Sequence, residues 1–197
     1  EKEKPEIKTG EALVKITRVG ICGTDLHAFQ GNQPFFSYPR ILGHELAAEV
    51  VEIGENSHNL KNGDPVIIMP YVTCSTCIAC RRGKSNCCTD MNVLGVHSDG
   101  GMQEYYNIPL NLLIPAGDLS PNAIAIVEPL AIGAHCIRRA QIEKDECVLV
   151  IGCGPIGLGI IKQAQLAGGK VIVMDINDSR LQFVKEKFNI EHTINVL

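Results

Sequence analysis

Short runs of apolar and polar residues alternate through the first part of the chain, at Leu13 to Val19, Ala47 to Ile53, Pro65 to Met69 and Gln103 to Ile108. Glycine, proline and asparagine separate them, and a two-residue period bounded by such residues predicts β-strands. Strands at this spacing suggest a compact, partly barrel-like β domain. Beyond Ser120-Pro121 the pattern changes. Asn122 to Arg139 is rich in alanine and isoleucine and predicts helix, with a kink or boundary at Glu128-Pro129. An apolar run at Cys147 to Ile151 follows, then a glycine turn, a helix to about Ala167, a second run at Val171 to Met174 and a helix over Ser179 to Phe188. Strand, helix, strand, helix is the start of a doubly wound parallel sheet. The expectation is an α/β chain with a β-rich domain over residues 1–121 and a dinucleotide-type domain over 122–197. A third strand would begin at Thr193 to Val196, and a complete sheet of this type has six strands. The chain is therefore expected to be part of a longer protein, and at this length to be inactive.

Composition narrows the picture. With 45% hydrophobic and 20% charged residues, the 197-residue chain can bury a core. A formal charge of -4 offers no basic surface to draw it to nucleic acid or anionic lipid. The most apolar stretch, Val148 to Ile161, meets Lys162 well short of the ~20 residues that span a bilayer. The start, Glu1-Lys2-Glu3-Lys4, lacks the basic and then apolar run of an export signal. Nine cysteines, an odd number with four crowded together, favour metal binding in a reducing cytoplasm over disulfides.

Gly152-Cys153-Gly154-Pro155-Ile156-Gly157 fits G-x-G-x-x-G between an apolar strand and a helix. The first glycine makes the turn, the second admits a pyrophosphate to the backbone, and the third allows close helix packing. The helix start offers N–H groups to phosphate. Asp175, ending the second run, lies near the offset expected for the carboxylate that bonds an adenosine ribose. A carboxylate there repels a 2'-phosphate, which favours NAD over NADP, although nearby Arg180 keeps NADP open.

Cys74, Cys77, Cys80 and Cys88 are spaced C-x2-C-x2-C-x7-C. Four thiolates in one loop suit a closed tetrahedral zinc site. An iron-sulfur cluster competes, but its fourth cysteine would follow after three residues and precede proline, and neither holds. Upstream lie Cys22-Gly23-Thr24-Asp25-Leu26-His27 and Gly43-His44-Glu45. Thiolate, imidazole and carboxylate together can form an open, catalytic type of zinc site. Asp25 can accept the second ring N–H of His44.

These segments, with the cysteine lobe at 71–91, Asp99-Gly100-Gly101 ahead of Glu104-Tyr105, Glu128-Pro129-Leu130 and the glycine fingerprint, resemble the zinc-containing medium-chain dehydrogenase/reductase family. The resemblance implies a GroES-like catalytic domain followed by a truncated Rossmann-type domain. It also implies one catalytic and one structural zinc, a nicotinamide cofactor and a homo-oligomer, dimer or tetramer. Carried over by position, Cys22, His44 and Glu128 would hold catalytic zinc, with Glu45 beside it as an exchanging or water-linked ligand. Thr24 and His27 would relay the hydroxyl proton while hydride leaves for the nicotinamide. Liver-type members have cysteine at the place of Glu128, and the glutamate looks like the sorbitol and threonine dehydrogenase branch. The stretch Gly31 to Arg40, with Pro70-Tyr71-Val72 and Gly95-Val96-His97, is similar to members that oxidise a secondary hydroxyl of L-galactonate-type sugar acids. Arg40 is a candidate contact for a substrate carboxylate. A zinc-binding scaffold without catalysis is the rival from another class, and it should lack the Cys22, His44 and Glu128 set.

Overall fold

A computed structural model of the chain describes residues 3–197; part of the N-terminal segment used for the export-signal reading, Glu1-Lys2, lies outside them. Two compact units form, one ending at Glu128 and the other running Pro129–Leu197.

The first unit is organised by β1 (Glu11–Gly20), α1 (Gly23–Phe29), β2 (Glu45–Ile53), β3 (Pro65–Ile68), β4 (Tyr71–Val72), α2 (Ile78–Arg81), β5 (Asn92–Val93), β6 (Tyr105–Pro109), β7 (Leu113–Pro115) and α3 (Pro121–Ala125). Five strands make one antiparallel sheet in the order β6-β1-β2-β3-β7, and β4 pairs with β5 in a separate ribbon. The period of two explains the core. Ala12 and Val14 of β1 meet Leu46, Ala48 and Val50 of β2, together with Val66, Ile68 and Ile108. Ala47 points to the other face, where Ile124 and Ala125 of α3 cover it. β2 is thus buried on both faces near its start, which fixes its register firmly. Near the end of β1 the register shifts between Ile16 and Arg18, and Thr17 Oγ1 there donates to the Ala47 carbonyl at 3.2 Å.

The expected helix over 122–139 divides ahead of its proline. α3 ends at Ala125, Ile126 caps it, and α4 (Val127–Ala140) starts before Pro129. The boundary therefore falls at Ile126 and not at Pro129. A proline in the first turn of a helix gives up no intrahelical bond, because the first N–H groups have no partner there.

The second unit contains β8 (Cys147–Ile151), α5 (Pro155–Leu166), β9 (Lys170–Asp175), α6 (Asp178–Phe188) and β10 (His192–Asn195). The strands are parallel in the order β10-β9-β8. Val150, Val171 and Val173 pack against Ile161 and Ala164 of α5 and Leu181 and Val184 of α6, with Ile137 of α4 alongside. Among the described residues, no helix is long and apolar enough to cross a membrane.

Candidate functional site

Antiparallel pairing of β1 with β2 builds the first cluster. Gly20, the last residue of β1, lies opposite Glu45, the first of β2. Cys22, two residues beyond β1, and His44, one residue before β2, are therefore delivered to the same end of the sheet. One ligand atom from each of Cys22, His44 and Glu45 lies within 4.8 Å of the others. His44 and Glu45 are buried, and Cys22 is half-buried. Gly20 makes room for the carboxylate, since a Cβ there would stand 2.1 Å from Glu45 Oε2. Gly43 adopts φ +98°, and its carbonyl accepts the N–H of Gly101 at 2.9 Å. Side chains at Gly95 or Gly100 would come within 2.6 Å or 2.3 Å of that carbonyl, so the His44 turn rests on bare backbone.

Asp25 ties the two ligand-bearing turns together. It is 3% exposed, and its Oδ2 accepts the Cys22 N–H at 2.9 Å while Oδ1 accepts the Gly43 N–H at 3.3 Å. His44 Nδ1 faces Oδ1 at 3.7 Å, an ion-pair separation longer than the hydrogen bond expected from sequence. That nitrogen is buried with no hydrogen-bond partner.

Electrostatics in the cluster suit a cation. The bond to His44 is the largest influence on Cys22 and, against burial, holds its thiol below the usual range. Burial pulls His44 down, but the Cys22 bond and the charges of Asp25, Cys22 and Glu128 outweigh it and raise the imidazole. Glu45 is raised, first by burial and then by the charge of Glu128. Sulfur, imidazole and carboxylate in one largely buried corner are a donor set that a divalent ion satisfies. Thr24 approaches the Cys22 thiol through its amide and its hydroxyl, and His27, one turn along α1, is exposed.

Glu128 stands apart from the three. Its Oε1 accepts a short hydrogen bond from the Tyr71 hydroxyl. Burial, then this bond, push the Tyr71 phenol well above its ordinary range.

The second cluster gathers Cys74, Cys77, Cys80 and Cys88, each with its sulfur within 4.8 Å of the others. Cys77 N–H points to Cys74 Sγ at 3.3 Å, Cys80 N–H to Cys77 Sγ at 3.4 Å and Cys74 N–H to Cys88 Sγ at 3.4 Å. Such N–H groups stabilise thiolate; those of Cys80 and Thr89 take Cys77 down to about 5, whereas burial and the neighbouring thiols push Cys80 up to about 12. Four sulfurs this close are enough to fill a tetrahedral coordination sphere and fit a structural zinc. Cys87 is exposed and outside the group.

In the second unit, Gly152 has φ +87°, Gly154 caps α5 and Pro155 opens it. A Cβ on Gly157 would stand 1.9 Å from the Gly152 carbonyl, so the third glycine allows helix and turn to touch. Asp175 is 7% exposed and bonds back to this turn: Oδ2 accepts from Cys153 N–H at 2.8 Å and from its thiol at 3.2 Å, and Oδ1 accepts from Asn177 N–H at 2.9 Å. Those bonds hold its carboxyl down to about 2. A cavity of about 400 Å³ beside it is lined by Cys153, Gly154, Pro155, Asn177, Ser179 and Arg180, among others.

Residues 8–118 match the family model of the Alcohol dehydrogenase GroES-like domain, more than half of the chain. The chain belongs to the zinc-type medium-chain alcohol dehydrogenase family. It is 49% identical over 190 residues to the L-galactonate-5-dehydrogenase of Escherichia coli strain K12, covering 96% of this chain and 56% of that protein. The crystal structure of galactitol-1-phosphate dehydrogenase from Escherichia coli superposes with a TM-score of 0.92 at 33% identity, over 100% of this chain and 57% of the other. The NADH complex of the dehydrogenase RspB from E. coli CFT073 gives a TM-score of 0.90 at 35% identity, over 99% and 58%. The chain thus spans a little over half the length of the relatives it matches.

Within this dehydrogenase family member, the structure brings Cys22, His44 and Glu45 together and leaves Glu128 on Tyr71. Arg40, a candidate for substrate, is engaged elsewhere. Its Nη1 faces Asp99 Oδ1 at 3.6 Å and its Nη2 donates to Ser37 at 2.8 Å, which fastens the 37–41 segment to Asp99. Sequence reasoning missed Gly20 and the bond between Tyr71 and Glu128. Gly20 had a signal in its place two residues before Cys22, whereas the Tyr71 contact spans 57 residues and left none.

Proposed function

We propose that the complete protein is a zinc-dependent, NAD-linked dehydrogenase that oxidises a secondary alcohol of a polyol or sugar acid to the ketone, with L-galactonate-type substrates favoured. The convergence of Cys22, His44 and Glu45 at one end of the first sheet carries this reading. When bound, zinc would supply Lewis acidity and the nicotinamide a hydride acceptor. The chain does the rest. Cys22, His44 and Glu45 hold the ion, with Glu128 within electrostatic reach of the same donors. Asp25 keeps the two ligand turns at fixed separation. Thr24 takes the hydroxyl proton and His27, exposed one turn on, passes it to solvent. Cys74, Cys77, Cys80 and Cys88 bind the second, structural zinc.

Gly154 clears the way for the pyrophosphate to reach the backbone at Pro155 and Ile156, while Gly152 makes the turn and Gly157 lets helix and turn touch. The Asp175 carboxylate, bonded to Cys153 and Asn177 of the cavity lining, receives the ribose, and Arg180 lines that cavity. A buried carboxylate there disfavours a 2'-phosphate, which supports NAD over NADP. The expected assembly is a homo-oligomer.

The test is a spectrophotometric screen of the complete protein, with NAD and NADP, against sugar acids, polyols and threonine. Reduction of NAD by an L-galactonate-type acid above all others is the expected result. Preference for sorbitol or threonine would redirect the substrate, and no reduction with any alcohol by zinc-loaded protein would end the enzymatic reading.

A further inference from the structure

Four anionic groups stand in or beside the first cluster, Cys22 and Glu45 within it, Asp25 facing His44 at 3.7 Å and Glu128 beyond, and a divalent ion is matched by two of them. Cys22 thiolate and Glu45 carboxylate already neutralise it, with His44 as the neutral ligand. A third anion would close the coordination sphere and leave net negative charge in a buried corner. Glu128 is the spare carboxylate, close enough for its charge to be felt at both His44 and Glu45.

The Tyr71 hydroxyl occupies it. Tyr71 sits on β4, where it pairs with Val93 of β5, and the adjoining Pro70 carbonyl accepts the Leu94 N–H at 2.9 Å. Three residues later Cys74 begins the four-sulfur lobe. The donor is therefore mounted on a ribbon anchored at the lobe and not on a free loop. A tyrosine fixed in this way spends little side-chain entropy on the bond.

Resting on the metal reading above, we propose that Tyr71 is a positioning residue: its hydroxyl holds the Glu128 carboxylate off the Cys22, His44 and Glu45 set and so keeps one coordination position of a bound divalent ion open for substrate. Without the hydroxyl, a half-buried carboxylate loses its donor and turns to the nearest cation. The ion is then gripped by four protein ligands, more tightly and without a vacancy.

The experiment uses the complete protein with cobalt(II) in place of zinc, and azide as the probe. The four-sulfur site is closed and gives no azide response, so any change in the visible cobalt bands reports on the Cys22 site. In the wild type, azide shifts those bands. In Tyr71→Phe the shift disappears and removal of the ion by a chelator slows by about tenfold, a size typical of residues that orient metal ligands. Glu128→Gln, which leaves the tyrosine ring untouched should the phenylalanine variant fold poorly, keeps both the azide shift and the wild-type release rate. The double variant behaves as Glu128→Gln alone, because Tyr71 acts only through Glu128. An unchanged azide shift and release rate in Tyr71→Phe, or about tenfold faster release in Glu128→Gln, would overturn the proposal. Failure of the underlying reading looks different: wild-type protein would then show no cobalt band sensitive to azide or to Cys22→Ser.

Discussion

Replacing Asp25 by alanine should loosen the first cluster and the unit that carries it together. Two hydrogen bonds to a buried carboxylate are lost. The one from Cys22 N–H, at 2.9 Å, is a short bond to a charged acceptor worth ~1.5–3 kcal/mol. The one from Gly43 N–H is long at 3.3 Å and is assigned ~1 kcal/mol. Both N–H groups then lack an acceptor where Asp25 was 3% exposed, so water recovers little of the loss. The sum is ~2.5–4 kcal/mol. At ~2–4 °C per kcal/mol for a chain of this size, the melting temperature should fall by roughly 5–16 °C. Circular dichroism melts, with zinc content measured on the same samples, provide the assay. Asp25→Asn should lose about half as much, since its one carbonyl oxygen can still serve Cys22 N–H while its amide group opposes Gly43 N–H. A melting temperature within 2 °C of wild type in the alanine variant, with its zinc content unchanged, would show that Asp25 does not tie the ligand turns.

Gly20→Ala should displace the Glu45 carboxylate, because the added Cβ would stand 2.1 Å from Oε2 and 2.8 Å from the Glu45 Cβ. Elemental analysis should then find the zinc of the Cys22 site depleted while the four-sulfur zinc remains; full retention of both argues against Glu45 as a ligand. Asp175 makes the second unit sensitive to acid. Its folded pKa of about 2 lies below the unfolded value of ~3.9, so its contribution is complete above ~pH 4 and is lost as the pH falls through about 2. Urea midpoints measured between pH 5 and pH 2 should therefore fall less steeply in Asp175→Asn than in wild type, and parallel curves would contradict the carboxylate's role in holding the glycine turn.

Alternation of period two placed β1, β2, β3 and β6 in the sequence, and the run Cys147 to Ile151 followed by glycines announced β8 and α5, because these signals are local. The donor types were legible for the same reason: spacing alone singles out Cys74, Cys77, Cys80 and Cys88. Pro129 misled because a proline's effect depends on where the helix begins, which neighbouring residues do not state. Pairing decided what spacing could not. Only the antiparallel register that sets Gly20 against Glu45 brings Glu45 into the Cys22 and His44 set, and only the fold carries Tyr71 to Glu128 across 57 residues. Residue chemistry is written along the chain, but which of two carboxylates meets an ion depends on distances between segments, and those are set by how strands and helices bury their apolar faces against one another.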